Sequence, residues 1–205
     1  MKILPVGERA LLIELEDLES VLGLYAEIEQ RRKGGWHHDI VDVVPAARTI
    51  LLDGISDPDA AATELTGWKR FRAFPTEGPL VELETIYDGD DLHNVAKICN
   101  LSPSELIAAH GGVTFMSAFC GFSPGFTYLS GLPDELQVPR LNNPRPSVPA
   151  GAVALADEFC AVYPRSSPGG WQIIGHTETS VWDSSKDPPT LLQPGTRVRF
   201  VRVTS

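Results

Sequence analysis

The sequence predicts an α+β protein in two parts, a small ferredoxin-like α/β unit followed by a compact β-barrel or sandwich. Three observations predict it. The first ~75 residues alternate apolar runs of strand length with stretches of helical periodicity. The final ~90 residues, after Gly111, are short β-rich segments cut by Pro and Gly. Most of the chain's 17 prolines lie beyond residue 100. Between these regions "AFPTEGPL" (Ala73 to Leu80) has the composition of a linker. The expected domains are therefore 1–76 and 77–205.

Each element has a local reason. Ala10 to Leu15 is a short apolar run suited to a buried strand. Leu18, Val21, Leu22, Tyr25 and Ile28 share one helical face. That helix closes on Arg31-Arg32-Lys33 and Gly34-Gly35, because cations suit the negative end of a helix and glycine suits the turn out of it. Val41 to Ala46 and Thr49 to Asp53 read as paired strands around Pro45 and Arg48. Ser56 or Asp57 caps a second helix, with Pro58 just inside it and Ala61, Leu65 and Trp68 on its face. The order β-α-β-β-α suggests the ferredoxin-like unit, and Leu80 to Tyr87 is a candidate further strand. Beyond the linker, Leu92, Val95, Ala96 and Cys99 mark one short helix. Ser102-Pro103-Ser104-Glu105 opens another as a capping box with proline at the first helical position.

Composition excludes several classes. The chain of 205 residues is 42% hydrophobic and 21% charged, as expected of a globular protein with a proper core. A net charge of −10 disfavours nucleic acid and anionic membranes as partners. No stretch approaches a membrane span, and the N-terminus lacks the apolar run and cleavage site of a signal peptide. Cys99, Cys120 and Cys160 are too widely spaced for a disulfide framework or a zinc pattern. A cytoplasmic protein with reduced thiols and no metal is the expectation. His37-His38-Asp39 reads as a solvated turn, since adjacent histidines in a strand would point to opposite faces.

Two stretches invite a chemical reading. Gly121-Phe122-Ser123-Pro124-Gly125 fits the G-x-S-x-G pattern of a serine hydrolase, but the residue after the nucleophile must lend an N–H to the oxyanion hole. Pro124 has none. "SSPGGWQIIG" (Ser166 to Gly175) repeats Ser-Pro-Gly beside another aromatic. Both are expected to be rigid turns that meet in space. No phosphate loop of the form G-x-x-x-x-G-K-[ST] is present.

"FCGFSPGFTYLSGL", "VPAGAVAL", "YPRSSPGGWQIIGHT" and "DPPTLLQPGTRVRF" stand in an order and spacing that resemble the KipI/PxpB family, also called allophanate hydrolase subunit 1 or the carboxyltransferase C/D domain. "YDGDDLHNVAK" and "LSPSELIAAHGG" match the stretch upstream. The resemblance implies a cyclophilin-like fold for the β-barrel domain. It implies pairing with a KipA/PxpC-type second subunit and a third, PxpA-type subunit. Together these would hydrolyse 5-oxoproline to glutamate at the expense of ATP, in a site shared between subunits. A histidine-kinase inhibitor and a urea-carboxylase or allophanate-type component are the alternatives. One departure stands out: Phe159-Cys160 replaces a polar Gln-Thr pair usual in the family, which leaves the substrate open.

The candidate residues follow. His110, which matches a family histidine, is the candidate proton donor; a helix C-terminal histidine held by the dipole is the plainer reading. Arg145, on the stiff loop "NNPRPSVPAG", is the candidate anion binder, because guanidinium takes carboxylate or phosphate bidentately. Phe122, Ser123, Gly125, Tyr128, Ser167, Gly169, Gly170 and Trp171 complete the expected substrate-binding set. The two serines would supply hydroxyls, the glycines close backbone approach, and the aromatics a cleft or an interface.

Overall fold

A computed structural model describes residues 1–68 and 78–204. The chain divides into two compact units, Met1–Pro75 and Thr76–Ser205. Most of the expected linker, and the boundary expected at residue 76, lie outside the described residues.

The first unit runs β1 (Lys2–Val6), β2 (Ala10–Glu14), α1 (Leu18–Lys33), β3 (Asp42–Pro45), β4 (Thr49–Asp53) and α2 (Pro58–Thr66). Its antiparallel sheet has the order β1-β2-β4-β3. Period-2 alternation sends Leu11, Ile13, Val43, Ile50 and Leu52 to one face, where Val21, Leu24 and Ile28 of α1 and Ala61 and Leu65 of α2 cover them. Asp17 caps α1 by accepting the Ser20 N–H at 2.8 Å, and Asp57 caps α2 through Ala60 at 3.0 Å. The strand beside β2, which a ferredoxin-like chain takes from its C-terminal end, is here the N-terminal β1. Leu80–Thr85, the candidate further strand, does not fill it; that strand belongs to the second unit. β1 escapes a sequence reading because Pro5 interrupts its run, yet proline is tolerated on an edge strand.

The second unit runs β5 (Leu80–Thr85), α3 (Leu92–Ile98), α4 (Pro103–Gly111), β6 (Phe115–Cys120), β7 (Thr127–Ser130), β8 (Arg145–Val148), β9 (Ala152–Ala156), β10 (Phe159–Val162), β11 (Ser167–Gly169), β12 (Gln172–His176) and β13 (Arg197–Arg202). Seven strands form a sheet in the order β12-β9-β10-β7-β6-β13-β5. Its two edges meet at one bridge: Ile86 N–H donates to the His176 carbonyl at 2.9 Å, and His176 N–H to the Ile86 carbonyl at 2.8 Å. The sheet is thereby a nearly closed barrel. Inward residues such as Leu83, Phe115, Leu129, Leu155, Cys160 and Phe200 form its core with Leu92, Val95, Leu106 and Ile107 from the two helices. The capping box forms as its sequence specifies: the Ser102 Oγ accepts the Glu105 N–H at 3.3 Å, and the Glu105 carboxylate accepts the Ser102 N–H at 2.8 Å.

The second Ser-Pro-Gly is a strand rather than the expected turn. β11 pairs with β8 in a separate two-stranded sheet, with Ser167 opposite Val148 and Gly169 opposite Arg145. The register slips between these two rungs, where Pro168, lacking an N–H, has no ladder bond to give.

Candidate functional site

The wall of the barrel sorts the candidate residues onto two faces. Along β10, Cys160 and Val162 point into the core with Leu129 of β7. By alternation, Phe159, Ala161 and Tyr128 point outward. The outward face carries a cluster of aromatic rings. Tyr128 stacks on Phe119 at 4.5 Å, and the Phe126 ring lies 5.4 Å from Trp171, 5.1 Å from Tyr163 and 5.2 Å from Phe122. The ring beside the first Ser-Pro-Gly thus touches the ring beside the second.

The first Ser-Pro-Gly is a turn, as expected. Ser123 N–H donates to the Gly121 carbonyl at 2.7 Å, and Phe122 between them has φ +65°. That is the rare γ-turn, a strained conformation for a large side chain. It presents the Phe122 ring to solvent, 62% exposed. Gly125 has φ +79°, and a Cβ there would stand 2.5 Å from Cβ of Trp182. The Ser123 hydroxyl is buried and has no hydrogen-bond partner. No general base among the described residues bonds to it.

Tyr163, which opens the motif "YPRSSPGGWQIIGHT" but is not among the expected site residues, connects the two stretches. Its ring meets Phe122 at 6.5 Å and Phe126 at 5.1 Å. Burial raises the pKa of its hydroxyl, against the opposing pull of the nearby Trp171 backbone N–H. A Cβ on Gly169 would lie 2.9 Å from Cζ of Tyr163 and closer still to its hydroxyl. A Cβ on Gly170 meets nothing nearer than 3.6 Å. Gly169, more than Gly170, is therefore required. Gly169→Ala is expected to disturb the aromatic face, with altered near-ultraviolet circular dichroism and a loss of about 1–3 kcal/mol. Gly170→Ala should match the parent within about 0.5 kcal/mol in denaturant unfolding. Equal behaviour of the two variants would refute this assignment.

Arg145 is engaged rather than free. Its Nη2 donates to Asp91 Oδ1 at 2.8 Å, and that hydrogen bond raises its pKa. Its Nη1 is buried without a partner. A second guanidinium, Arg140, lies 5.8 Å from the Trp171 ring centroid. The Ser167 hydroxyl donates only to the nearby Arg165 carbonyl, at 3.5 Å. Trp171 is 4% exposed, so its ring is chiefly wall; Phe122 and the half-buried Tyr128 offer the accessible aromatic surface.

His110 does not join this face. It is wholly buried among Phe115 and Phe200, with Nδ1 at 2.8 Å from the Tyr87 hydroxyl and Nε2 at 3.4 Å from Cys160 Sγ. Burial drops its pKa to about 3 and raises those of Tyr87 and Cys160, so all three are neutral at pH 7. The dipole reading of a protonated helix-end histidine fails for the same reason. Nor does Cys160, a protonated thiol against a neutral imidazole, form an activated nucleophile. The Phe159-Cys160 pair divides between the faces: Phe159 packs at 5.5 Å from Tyr128 on the outer side, while Cys160 meets His110 inside. Among the described residues, no three His, Cys, Asp or Glu side chains converge as a metal site, and no helix is long and apolar enough to cross a membrane.

The family model for the carboxyltransferase domain, subdomain C and D, matches residues 1–192. The chain belongs to this family. The carboxyltransferase C/D assignment is supported along nearly the whole length. The Escherichia coli O157:H7 protein named as the B subunit of 5-oxoprolinase is 34% identical over 96% of this chain and 93% of its own. The Haemophilus influenzae protein of the same name is 35% identical over 98% and 97%. Among solved structures, TTHA0988 superposes with a TM-score of 0.78 at 32% identity, over 96% of this chain but only 40% of its own. The Kluyveromyces lactis urea carboxylase superposes with a TM-score of 0.75 at 17% identity, over 98% of this chain and 22% of its own, a likeness of fold alone. The motifs after residue 80 thus name the family correctly, and the carboxyltransferase C/D chain has the mixed α+β, barrel-bearing architecture expected of it.

Proposed function

We propose that this chain is the B-type component of an ATP-dependent 5-oxoprolinase, and that the outer face of its barrel binds the lactam. One observation carries the reading: end-to-end likeness to proteins named as the B subunit of 5-oxoprolinase, in a chain whose candidate site holds binding groups but no nucleophile–base pair. Arg145, Phe122 and Tyr128 provide polar and aromatic contacts of the kind a small ring with a carboxylate uses. A lactam resists opening because its amide is resonance-stabilised, so donors fixed before reaction lower the barrier by meeting the charge that develops. His110, locked in the core, serves that face only by supporting the wall behind it.

The helix N-termini among the described residues do not fit the phosphates of a nucleotide. Phosphates favour bare helix N-termini and glycine-rich loops. Here the four helices open on Asp17, Asp57, Asp91 and the Ser102–Glu105 box, so a phosphate would meet a carboxylate at each. The ATP site is assigned to partner subunits of the KipA/PxpC and PxpA types, and the complex to the cytoplasm.

The test is reconstitution. 5-Oxoproline, urea and allophanate are offered, with and without ATP, to this chain, to the other two subunits, and to all three together. Glutamate formation from 5-oxoproline is expected only with all three and ATP. Turnover by the chain alone, or turnover of urea or allophanate instead, overturns the proposal.

A further inference from the structure

Asp91 is held from two sides. Its backbone N–H donates to the Ile173 carbonyl at 2.9 Å, and its Oδ2 accepts the Ile173 N–H at 2.7 Å. It is 7% exposed. The remaining oxygen, Oδ1, takes Nη2 of Arg145. This arrangement fixes one edge of the guanidinium to the barrel wall and leaves both N–H groups of Nη1 unspent and buried. A buried donor without an acceptor is costly, so Nη1 is the group here with most to gain from an acceptor.

A second donor stands beside this residue's rung. Arg145 is opposite Gly169 in the β8–β11 ladder, and the Tyr163 hydroxyl fills the space that a Gly169 side chain would need. Burial raises the Tyr163 pKa, so its hydroxyl stays protonated and can donate. Arg145 opens β8 and Tyr163 follows β10, and the Gly169 rung brings the two together.

We propose that Asp91 and Tyr163 are positioning and specificity residues: Asp91 aims Arg145 Nη1, and Tyr163 completes with it an anchor for a single carboxylate, so that this face selects amides bearing a carboxylate over the same amide without one. The proposal rests on the lactam reading above for its substrate but not for its chemistry. A carboxylate fits better than a polyphosphate because Asp91 already balances the Arg145 charge, and two N–H donors beside one O–H match two oxygens on one carbon.

The experiment compares matched pairs by calorimetric titration of the intact protein, alone and with its partner subunits: 5-oxoproline against 2-pyrrolidinone, and allophanate against urea. The carboxylated member should bind on the order of tenfold or more tightly, as charge-assisted hydrogen bonds predict. Arg145→Met should abolish the preference and Arg145→Lys should retain part of it. Tyr163→Phe should cut it several-fold, and Asp91→Asn should weaken it, raising KM with little change in kcat. Asp91 is buried, so circular dichroism and thermal unfolding accompany that variant. If it fails to fold, the Arg145 pair and Tyr163→Phe decide. A preference for allophanate over urea with none for 5-oxoproline would sink the lactam reading and leave the anchor standing. Equal binding within both pairs, or a preference that survives Arg145→Met, overturns the anchor.

Discussion

Gly175→Val should open the barrel. Gly175 sits where the two edges of the sheet close: a Cβ there would stand 3.0 Å from the Tyr87 Cα and nearer still to the Ile86 carbonyl oxygen. Gly89 approaches from the other side, where a Cβ would stand 2.5 Å from the Gly175 nitrogen. The obstruction is backbone, which cannot rotate away as a side chain can. A valine must therefore push the edges apart and break the Ile86–His176 pair, and with it the Asp91 N–H bond to the Ile173 carbonyl at 2.9 Å. Overpacking costs about 1–3 kcal/mol and each of the three lost hydrogen bonds about 1 kcal/mol more, so a loss of about 4–6 kcal/mol is expected. Guanidinium unfolding measures it, and amide hydrogen exchange at Ile86 and His176 locates it. Parent-like protection at those two amides would show that the seam does not depend on Gly175.

The second large effect is acid sensitivity from His110. Its pKa is about 3 in the fold, against about 6.5 in an unfolded chain. Between these values the unfolded chain binds a proton that the folded chain refuses, so stability rises with pH across the window. The contribution is complete above about pH 6.5 and is lost as pH falls towards 3, at up to about 1.4 kcal/mol per pH unit. Over the whole window that is roughly 3–5 kcal/mol, a large share of a domain's stability. The depressed carboxylates Asp17, Asp39, Glu105 and Asp183 add acid loss only lower down, so pH 5 to 6.5 isolates the histidine. Unfolding should be measured at steps from pH 7.5 to 4 for the parent and His110→Gln. The variant is expected to be weaker by about 1–3 kcal/mol at pH 7.5, having lost one core partner, but flatter towards acid. Parallel profiles would mean that His110 does not stay neutral by burial.

Local chemistry made much of the fold legible. The helix capped by Asp17 ends at Lys33 before glycine, the Ser102–Glu105 box forms, and β4 spans Thr49–Asp53 as the reading of a strand pair around Pro45 and Arg48 expects. These succeed because their causes lie within four residues of the effect. The strands fare worse where partners are distant. Leu80–Thr85 reads as a strand from its own residues, but its place beside β13 is a parallel pairing with residues 197–202. Nothing near residue 80 encodes that choice.

For the site, the sequence by itself determined the residue types, the stiffness of the Ser-Pro-Gly stretches, and the family. Its serine-hydrolase pattern fails on Pro124 alone, a purely local argument. Only the tertiary structure decided which residues meet. Alternation along β10 puts Cys160 inside with His110 and Phe159 outside with Tyr128, so one strand parts the candidate proton donor from the candidate binding face. Arg145 meets Asp91 across 54 residues, and Asp91 meets Ile173 across 82. Such pairings are products of barrel closure, whose register is set by packing summed over the whole sheet rather than by any short stretch of chain.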